Sequence, residues 1–375
     1  MANLAREAGT HRKVILGIRG DEGERDFSLD PSWFTRGAVI VGKSGTGKSH
    51  DIDLIARQAG EMGFSVVILD RTGEHSEALA GSPCAASLRP GKELCISILD
   101  PTDQDIQDPA EAVEDALDTL SHYFVVSFGD RATPLQQRII RENFSSHYRL
   151  GFKVGQAPSV GEFIGYVRRY LEFKKGIHGF LESGESVVSR IYPLTVGRTG
   201  EVFNRKEHGF SIDDLFKPGV RIVDLSYLRY EPARDLLSQI IVKRLYQAAR
   251  RMGKTADLRQ LVIVDEAHHI APHDPDYQGF AELIAIENRK FGQGLVVSST
   301  SPGQLSEALL RNSSIRICHQ LDDGKDIDLM LRFMVNRLDT ERYLTDIRTL
   351  GLGEALVQVS SPAVVEPTKV KMQGK

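Results

Sequence analysis

The residues best suited to chemistry lie in two short segments. The first is Gly42-Lys43-Ser44-Gly45-Thr46-Gly47-Lys48-Ser49, a glycine-rich run closed by Lys-Ser. Its glycines let the backbone wrap closely round a polyphosphate with several N–H groups turned inward. Lys48 has the spacing to neutralise the β- and γ-phosphates of ATP, and the Ser49 hydroxyl to ligate Mg²⁺. The expected nucleotide contacts are Gly42, Lys43, Ser44, Gly45, Thr46, Gly47, Lys48, Ser49 and His50. The second segment is Asp265-Glu266, which follows the apolar run Leu261-Val262-Ile263-Val264. Asp265 is expected to share the Mg²⁺ with Ser49, directly or through water. Glu266 is expected to act as general base on the water that attacks the γ-phosphate. A phosphate loop alone only binds; with a pair of acids delivered to it, hydrolysis is the expected chemistry.

These side chains need particular elements beneath them. Ala38-Val39-Ile40-Val41 reads as a short buried strand entering the loop. Ile52, Ile55, Ala56, Ala59 and Met62 recur at helical spacing after it, with Gly63 as a stop, so the phosphates would meet a helix N-terminus. Further apolar runs predict strands at 64–70, 94–99, 220–225, 261–264, 295–298 and 315–319, with a last strand at 355–359. Strands that are continuously apolar and alternate with helices predict an α/β fold, a mainly parallel sheet flanked by helices on both faces. Its strands would deliver the acids at their carboxyl ends, the edge where such sheets bind ligands.

From about 104 to 216 the pattern turns wholly helical, which predicts an insertion within the sheet domain. Asp108-Pro109 and Thr133-Pro134 read as helix starts, and Ser159 to Glu162 as a capping box. Arg168, Arg169, Lys174 and Lys175 on this insertion read as a solvated helix face in preference to a DNA contact. Residues 1–36 are expected to form a tail and β-hairpin, with strands at 14–18 and 27–29 and a charged tip at 20–24, leaving 37–375 as the ATPase domain. A helix is expected at about 277–290 and another starting near Asp339.

Composition bounds the remainder. With 41% hydrophobic and 26% charged residues, the chain has ample material for a core. A formal net charge of −4 excludes a globally cationic nucleic-acid binder. Cys84, Cys95 and Cys318 lack metal-ligand spacing and cannot pair evenly, so reduced thiols in the cytoplasm are expected. No apolar run reaches membrane-spanning length.

Two further positions have open readings. Arg289, in Asn288-Arg289-Lys290-Phe291-Gly292, is either an ordinary helix-end cation or an arginine finger aimed at a neighbouring subunit's γ-phosphate. Thr300 follows the 295–298 strand where a γ-phosphate sensor would sit, and its hydroxyl would equally serve a turn. Asp265-Glu266-Ala267-His268 also spells the acidic box of a helicase group with two tandem motor domains. The 217 positions between Lys48 and Asp265, and the short segment after Glu266, argue against that architecture.

The chain resembles the HerA/FtsK superfamily, nearest the HerA branch. The resemblance rests on Gly42 to Ser49, Leu69-Asp70 through Gly73-Glu74, Pro218-Gly219-Val220 into Ile222-Val223-Asp224-Leu225-Ser226, and Val264 to His268. Arg289-Lys290-Phe291-Gly292 into Leu295-Val296-Val297-Ser298, and Leu352-Gly353-Glu354-Ala355-Leu356-Val357, complete it. It implies a RecA-like P-loop NTPase that assembles as a homo-oligomer, a hexameric ring, and translocates double-stranded DNA at the cost of ATP, with Arg289 as trans-acting finger. The alternatives are a viral packaging or conjugative-transfer motor with the same chemistry, and a nucleotide-gated assembly protein that pumps no DNA. Three departures accompany it. Thr300 stands where the family usually has Gln, and Arg71-Thr72 replaces the usual Pro-His. The 41 residues before Gly42 are expected to hold a hairpin and not the β-barrel by which HerA proteins dock a partner nuclease.

Overall fold

A computed structural model describes residues 13–20, 25–101, 106–206, 209–272, 279–335 and 340–374. The expected hairpin tip at 21–24, the N-terminal tail 1–12, residues 277–278 and Asp339 lie outside the described residues. In chain order the elements are β1 Val14–Arg19, β2 Asp26–Leu29, β3 Ala38–Val41, α1 Lys48–Glu61, β4 Ser65–Asp70, α2 Glu74–Ala78 and β5 Ala85–Leu88. The helices α3 Pro109–Phe128, α4 Pro134–Arg149, α5 Val160–Phe173, α6 Phe180–Ile191 and α7 Gly197–Phe203 form the insertion. There follow β6 Gly219–Asp224, α8 Glu231–Arg251, β7 Thr255–Val264, α9 Phe280–Glu287, β8 Phe291–Ser299, α10 Glu307–Asn312 and β9 Ile315–Cys318. The chain closes with α11 Gly324–Met334, α12 Thr340–Thr349, β10 Glu354–Val359 and β11 Val365–Met372.

The strands make one eleven-stranded sheet in the order β2-β1-β11-β10-β9-β3-β8-β7-β4-β6-β5. From β9 to β5 all neighbours are parallel. From β9 to β2 they are antiparallel. The N-terminal hairpin is continuous with this sheet, because β1 pairs with β11. Strand alternation divides the core between two faces. Ala38, Ile40, Val66, Ile68, Leu261 and Ile263 pack on one face with Ile52, Ile55, Ala56 and Ala59 of α1. Val39, Val41, Val67, Leu69, Val262 and Val264 pack on the other with the helical insertion and α8.

The expected caps form. Asp108 accepts from the Ala110 N–H, and both Thr133/Gln136 and Ser159/Glu162 close reciprocal capping boxes. Arg168, Arg169 and Lys175 are exposed. Two strand expectations need correction. Leu94–Leu99 is buried but is not a strand; outside one bridge from Leu94 to Pro90, its backbone is held by other partners. The Ile96 N–H donates to Val202 O at 3.1 Å, and Cys95 O accepts from the Gly209 N–H at 3.0 Å. The buried Arg244 guanidinium of α8 donates to Ser97 O at 2.9 Å and Asp100 O at 3.3 Å. A short apolar run signals burial without specifying strand pairing. The edge strand is instead β5, half-buried and rich in Ala and Ser. The second correction is that 355–359 is not the last strand: β11 follows, interrupted in pattern by Pro367, and joins β10 to β1.

Arg244 thus substitutes for a missing strand partner. Arg244→Met should leave buried carbonyls unsatisfied and lower the unfolding free energy by roughly 2–4 kcal/mol. A shift of the urea midpoint to lower concentration, with helicity retained before the transition, is the expected readout.

Candidate active site

The glycine-rich loop runs from β3 to α1, and its shape depends on what surrounds it. Gly42 has φ 158°, and a Cβ there would stand 2.5 Å from the His319 Cβ. The Lys43 N–H donates to Gln320 O at 2.9 Å, and the Gly353 N–H donates to Thr46 O at 3.1 Å. Buried Asp51 of α1 and His319 meet at 2.7 Å, while the other His319 ring nitrogen lies 2.9 Å from Glu354 O. The segment Leu352-Gly353-Glu354 therefore grips the loop from the antiparallel side of the sheet. Lys48 is buried and donates to Gly42 O at 2.8 Å and Lys43 O at 3.2 Å. Burial lowers its pKa, with Glu266, Asp265 and Glu74 pulling the other way.

The acids arrive as the sequence predicts. β7 is parallel to both β4 and β8, so Asp265 and Glu266 emerge at the edge that carries the loop. A pocket of about 390 Å³ brings together Ser44, Gly45, Gly47, Lys48, Ser49, His50, Thr72, Glu74, Asp265, Glu266 and Thr300. Of the expected site residues, only Gly42, Lys43 and Thr46, which support the loop from behind, and Arg289 fall outside its lining. Glu266 has φ 51°, the left-handed region that a non-glycine residue rarely occupies, and is the only such residue among those described.

The structure adds partners that the sequence reading did not name. The Ser298 hydroxyl of β8 donates to Asp265 Oδ1 and accepts the Glu266 N–H at 3.2 Å. His75 of α2 is fully buried, 2.7 Å from Asp53 Oδ1 and 3.5 Å from Asp265 Oδ2. Burial opposes its charge, but hydrogen bonding and attraction from Asp265 and Asp53 outweigh this and raise its pKa to about 10. Burial by itself would raise the Asp265 pKa; His75, Ser298 and the Glu266 N–H hold it below the ordinary aspartate value. Glu266 shifts the opposite way, upward, through burial and then the Asp265 charge. Asp70 explains the Asp70-Arg71-Thr72-Gly73 turn: its carboxylate accepts from Gly73 N–H at 2.8 Å and Ser76 N–H at 2.9 Å, which brings Thr72 and Glu74 to the pocket. Arg71 is buried and ion-paired to Asp235 of α8 at 2.5 Å.

Ser49 and Asp265 share the pocket, and a hydroxyl and a carboxylate beside bound phosphates suit Mg²⁺, which keeps several waters and takes few protein ligands. Among the described residues no cluster of three or more His, Cys, Asp or Glu could hold a metal on its own.

Arg289 lies elsewhere. It is exposed in the turn between α9 and β8, at the amino end of β8, whereas Thr300 follows the carboxyl end of the same strand. It lines a second pocket, about 880 Å³, with Arg36, Arg250, Lys290, Glu287 and Thr35 among its walls. Arg250 is paired with Glu287. Burial and then the Arg289 charge lower the Arg36 pKa, and among the described residues neither arginine is ion-paired. Gly294 makes this proximity possible, since a Cβ there would stand 2.2 Å from Phe34 O in the Pro31–Arg36 turn. Only the resulting pocket singles out Arg36; its place in the sequence offers no motif.

A phosphate loop between strand and helix, faced by two acids from a parallel neighbour strand, defines a RecA-like P-loop NTPase. Comparison with known proteins agrees. The family model "Helicase HerA, central domain" matches residues 17–150. The DNA double-strand break repair helicase HerA of Sulfolobus acidocaldarius is 23% identical over 366 residues, covering 93% of this chain and 68% of that protein. Its namesake from Saccharolobus solfataricus is 24% identical, covering 91% and 66%. The chain thus spans about two thirds of the length of these relatives. The solved structure of VirB4 from Thermoanaerobacter pseudethanolicus superposes with a TM-score of 0.69 at 18% identity, over 98% of this chain and 97% of that one. The plasmid coupling protein TrwB in complex with ADP and Mg²⁺ gives 0.66 at 16% identity, over 98% and 96%. The chain is thus a P-loop NTPase that is similar to HerA over most of its length. Among the described residues no helix is long and apolar enough to cross a membrane.

The raised His75 pKa makes a stability prediction. A pKa above the unfolded value of 6.5 means that the folded state holds the proton more tightly. The His75 contribution is complete below pH 6.5 and is lost as pH rises toward about 10. Across that window wild type should lose stability relative to His75→Phe, with a slope no steeper than about 1.4 kcal/mol per pH unit. Parallel stability curves for the two proteins would contradict the paired, protonated histidine.

Proposed function

We propose that this chain hydrolyses ATP in a homo-oligomeric ring, a hexamer, and uses the energy to translocate double-stranded DNA in the cytoplasm. The observation that carries the reading is the separation of two half-sites. Lys48, Ser49, Asp265 and Glu266 line one pocket, while Arg289 and Arg36 line another at the opposite edge of the sheet. Neither half-site serves ATP fully alone; a second copy brings them together. Duplex DNA as the cargo rests on the relatives, which are named as DNA break repair helicases over most of this chain.

In this mechanism the loop N–H groups and the α1 N-terminus bind the triphosphate, and Lys48 exchanges its two loop carbonyls for phosphate oxygens. Ser49 and Asp265 would hold Mg²⁺, which would supply neutralising positive charge to the triphosphate. Ser298 and His75 fix the Asp265 carboxylate. Glu266 accepts a proton from the attacking water as the new P–O bond forms and the bond from the γ-phosphorus to the ADP oxygen breaks. Thr300 hydrogen-bonds the γ-phosphate, and Arg289 of the adjoining subunit stabilises charge on it. DNA is gripped through its phosphates without base readout, so binding weakens steeply with salt. A partner nuclease is a further candidate for the assembled ring.

ATP turnover with and without long duplex DNA, for wild type and Glu266→Gln, tests the reading. DNA should stimulate the wild type, and the variant should still bind ATP while its turnover falls by about 100-fold or more. Turnover indifferent to DNA would favour a nucleotide-gated assembly protein instead.

A further inference from the structure

The turn that carries Arg289 rests on a row of buried polar side chains. Ser65 on β4, Gln260 on β7 and Gln293 on β8 occupy matched positions in the parallel register, Ser65 beside Gln260 and Gln260 beside Gln293. They are 3%, 0% and 1% exposed, and Asn288, immediately before Arg289, is 0% exposed. All three strand residues point to the face that packs on α8 and the insertion, the face of Val67, Val262 and Leu295.

Their hydrogen bonds form a continuous chain. Asn288 Nδ2 donates to Gln293 Oε1 at 2.6 Å, and Gln293 Nε2 donates to Gln260 Oε1 at 2.7 Å. Gln260 Nε2 donates to Leu215 O at 2.8 Å and to Ser65 Oγ at 3.3 Å, and the Ser65 hydroxyl also donates to Leu215 O, at 2.7 Å. Side branches hold α8, from Gln293 to Leu245 O at 3.1 Å and from Asn288 to Tyr246 O at 3.1 Å. One end of the row clamps the turn bearing Arg289. The other ends at Leu215, in the 3₁₀ turn Ile212–Phe216 where the insertion closes and the chain returns to β6.

Apolar residues at these sheet positions would bury as well and avoid the cost of desolvating four polar groups, so packing does not account for the row. What such a network supplies is fixed orientation: the Gln260 and Gln293 amides are each held at both oxygen and nitrogen, and Asn288 is held through its Nδ2 alone, its Oδ1 being without a partner. Arg289 needs that orientation: its exposed side chain must reach a reacting group on another subunit, where a displacement of about 1 Å can cost two orders of magnitude in rate. We propose that Asn288, Gln293 and Gln260 are positioning residues that hold Arg289 in its active geometry and tie that geometry to the base of the helical insertion. This rests on the reading of Arg289 as a trans-acting finger.

The test is a double-mutant cycle on the assembled, DNA-stimulated protein. Gln293→Met removes the amide at nearly constant volume, and Asn288→Ala serves where Gln293→Met does not fold. Either variant should lower kcat by about 10-fold with KM for ATP within about two-fold, because the ATP-binding pocket is untouched. Combined with Arg289→Ala, it should add nothing to the loss caused by Arg289→Ala alone, since positioning acts only through that arginine. Independent, multiplicative losses, or a lower melting temperature with kcat unchanged, would reduce the row to a structural network and overturn the proposal. Normal kcat in Arg289→Ala itself would overturn the finger reading, and the proposal with it.

Discussion

The polarity of the parallel strands is the constraint from which the rest follows. β3, β7 and β8 point the same way, so everything that leaves their carboxyl ends gathers at one edge: the phosphate loop, Asp265 and Glu266, and Thr300. Whatever precedes their amino ends gathers at the other. β8 runs nine residues, roughly 30 Å at strand rise, and separates Arg289 from Thr300 by that length. No side chain spans that distance. On the proposed reading, a single chain therefore presents both halves of a hydrolytic site and cannot bring its own halves together.

The nucleotide edge is stiffened from three directions. The antiparallel strands hold the loop through the buried Asp51–His319 pair and Gly353. β8 holds the acids through Ser298, and α2 does so through His75. Arg71 carries an ion pair to Asp235 on α8, so the turn after β4 is tied to the helical layer. At the opposite edge, the Ser65-Gln260-Gln293-Asn288 row performs the corresponding task for Arg289. The nucleotide pocket and the Arg289 turn are thus both fastened to α8, the helix on which the insertion packs.

Much of this was legible in the residues alone. The phosphate loop, its entering strand, the acid pair and the capped insertion helices are local patterns, each complete within a few positions. The partners that orient them are not local. His75 meets Asp265 across 190 positions and Ser298 meets it across 33, and neither belongs to a spacing motif. Leu94–Leu99 misled because apolar runs report burial, while hydrogen-bond partners from Val202, Gly209 and Arg244 decide that it is no strand. β11 was hidden by Pro367 and by an alternation that buries few apolar residues. Arg36 has no motif at all; it becomes visible once Gly294 lets the Pro31–Arg36 turn rest on β8.

Complementation between two inactive variants tests the central claim most directly. Glu266→Gln retains an intact Arg289 but no base, and Arg289→Ala retains the base but no finger. In an equal mixture, about a quarter of subunit interfaces would join an intact base to an intact arginine. ATP turnover should therefore reappear in the mixture at a corresponding fraction of the wild-type rate. A mixture as inactive as either variant alone, with mixed assemblies demonstrated, would contradict a site completed between subunits.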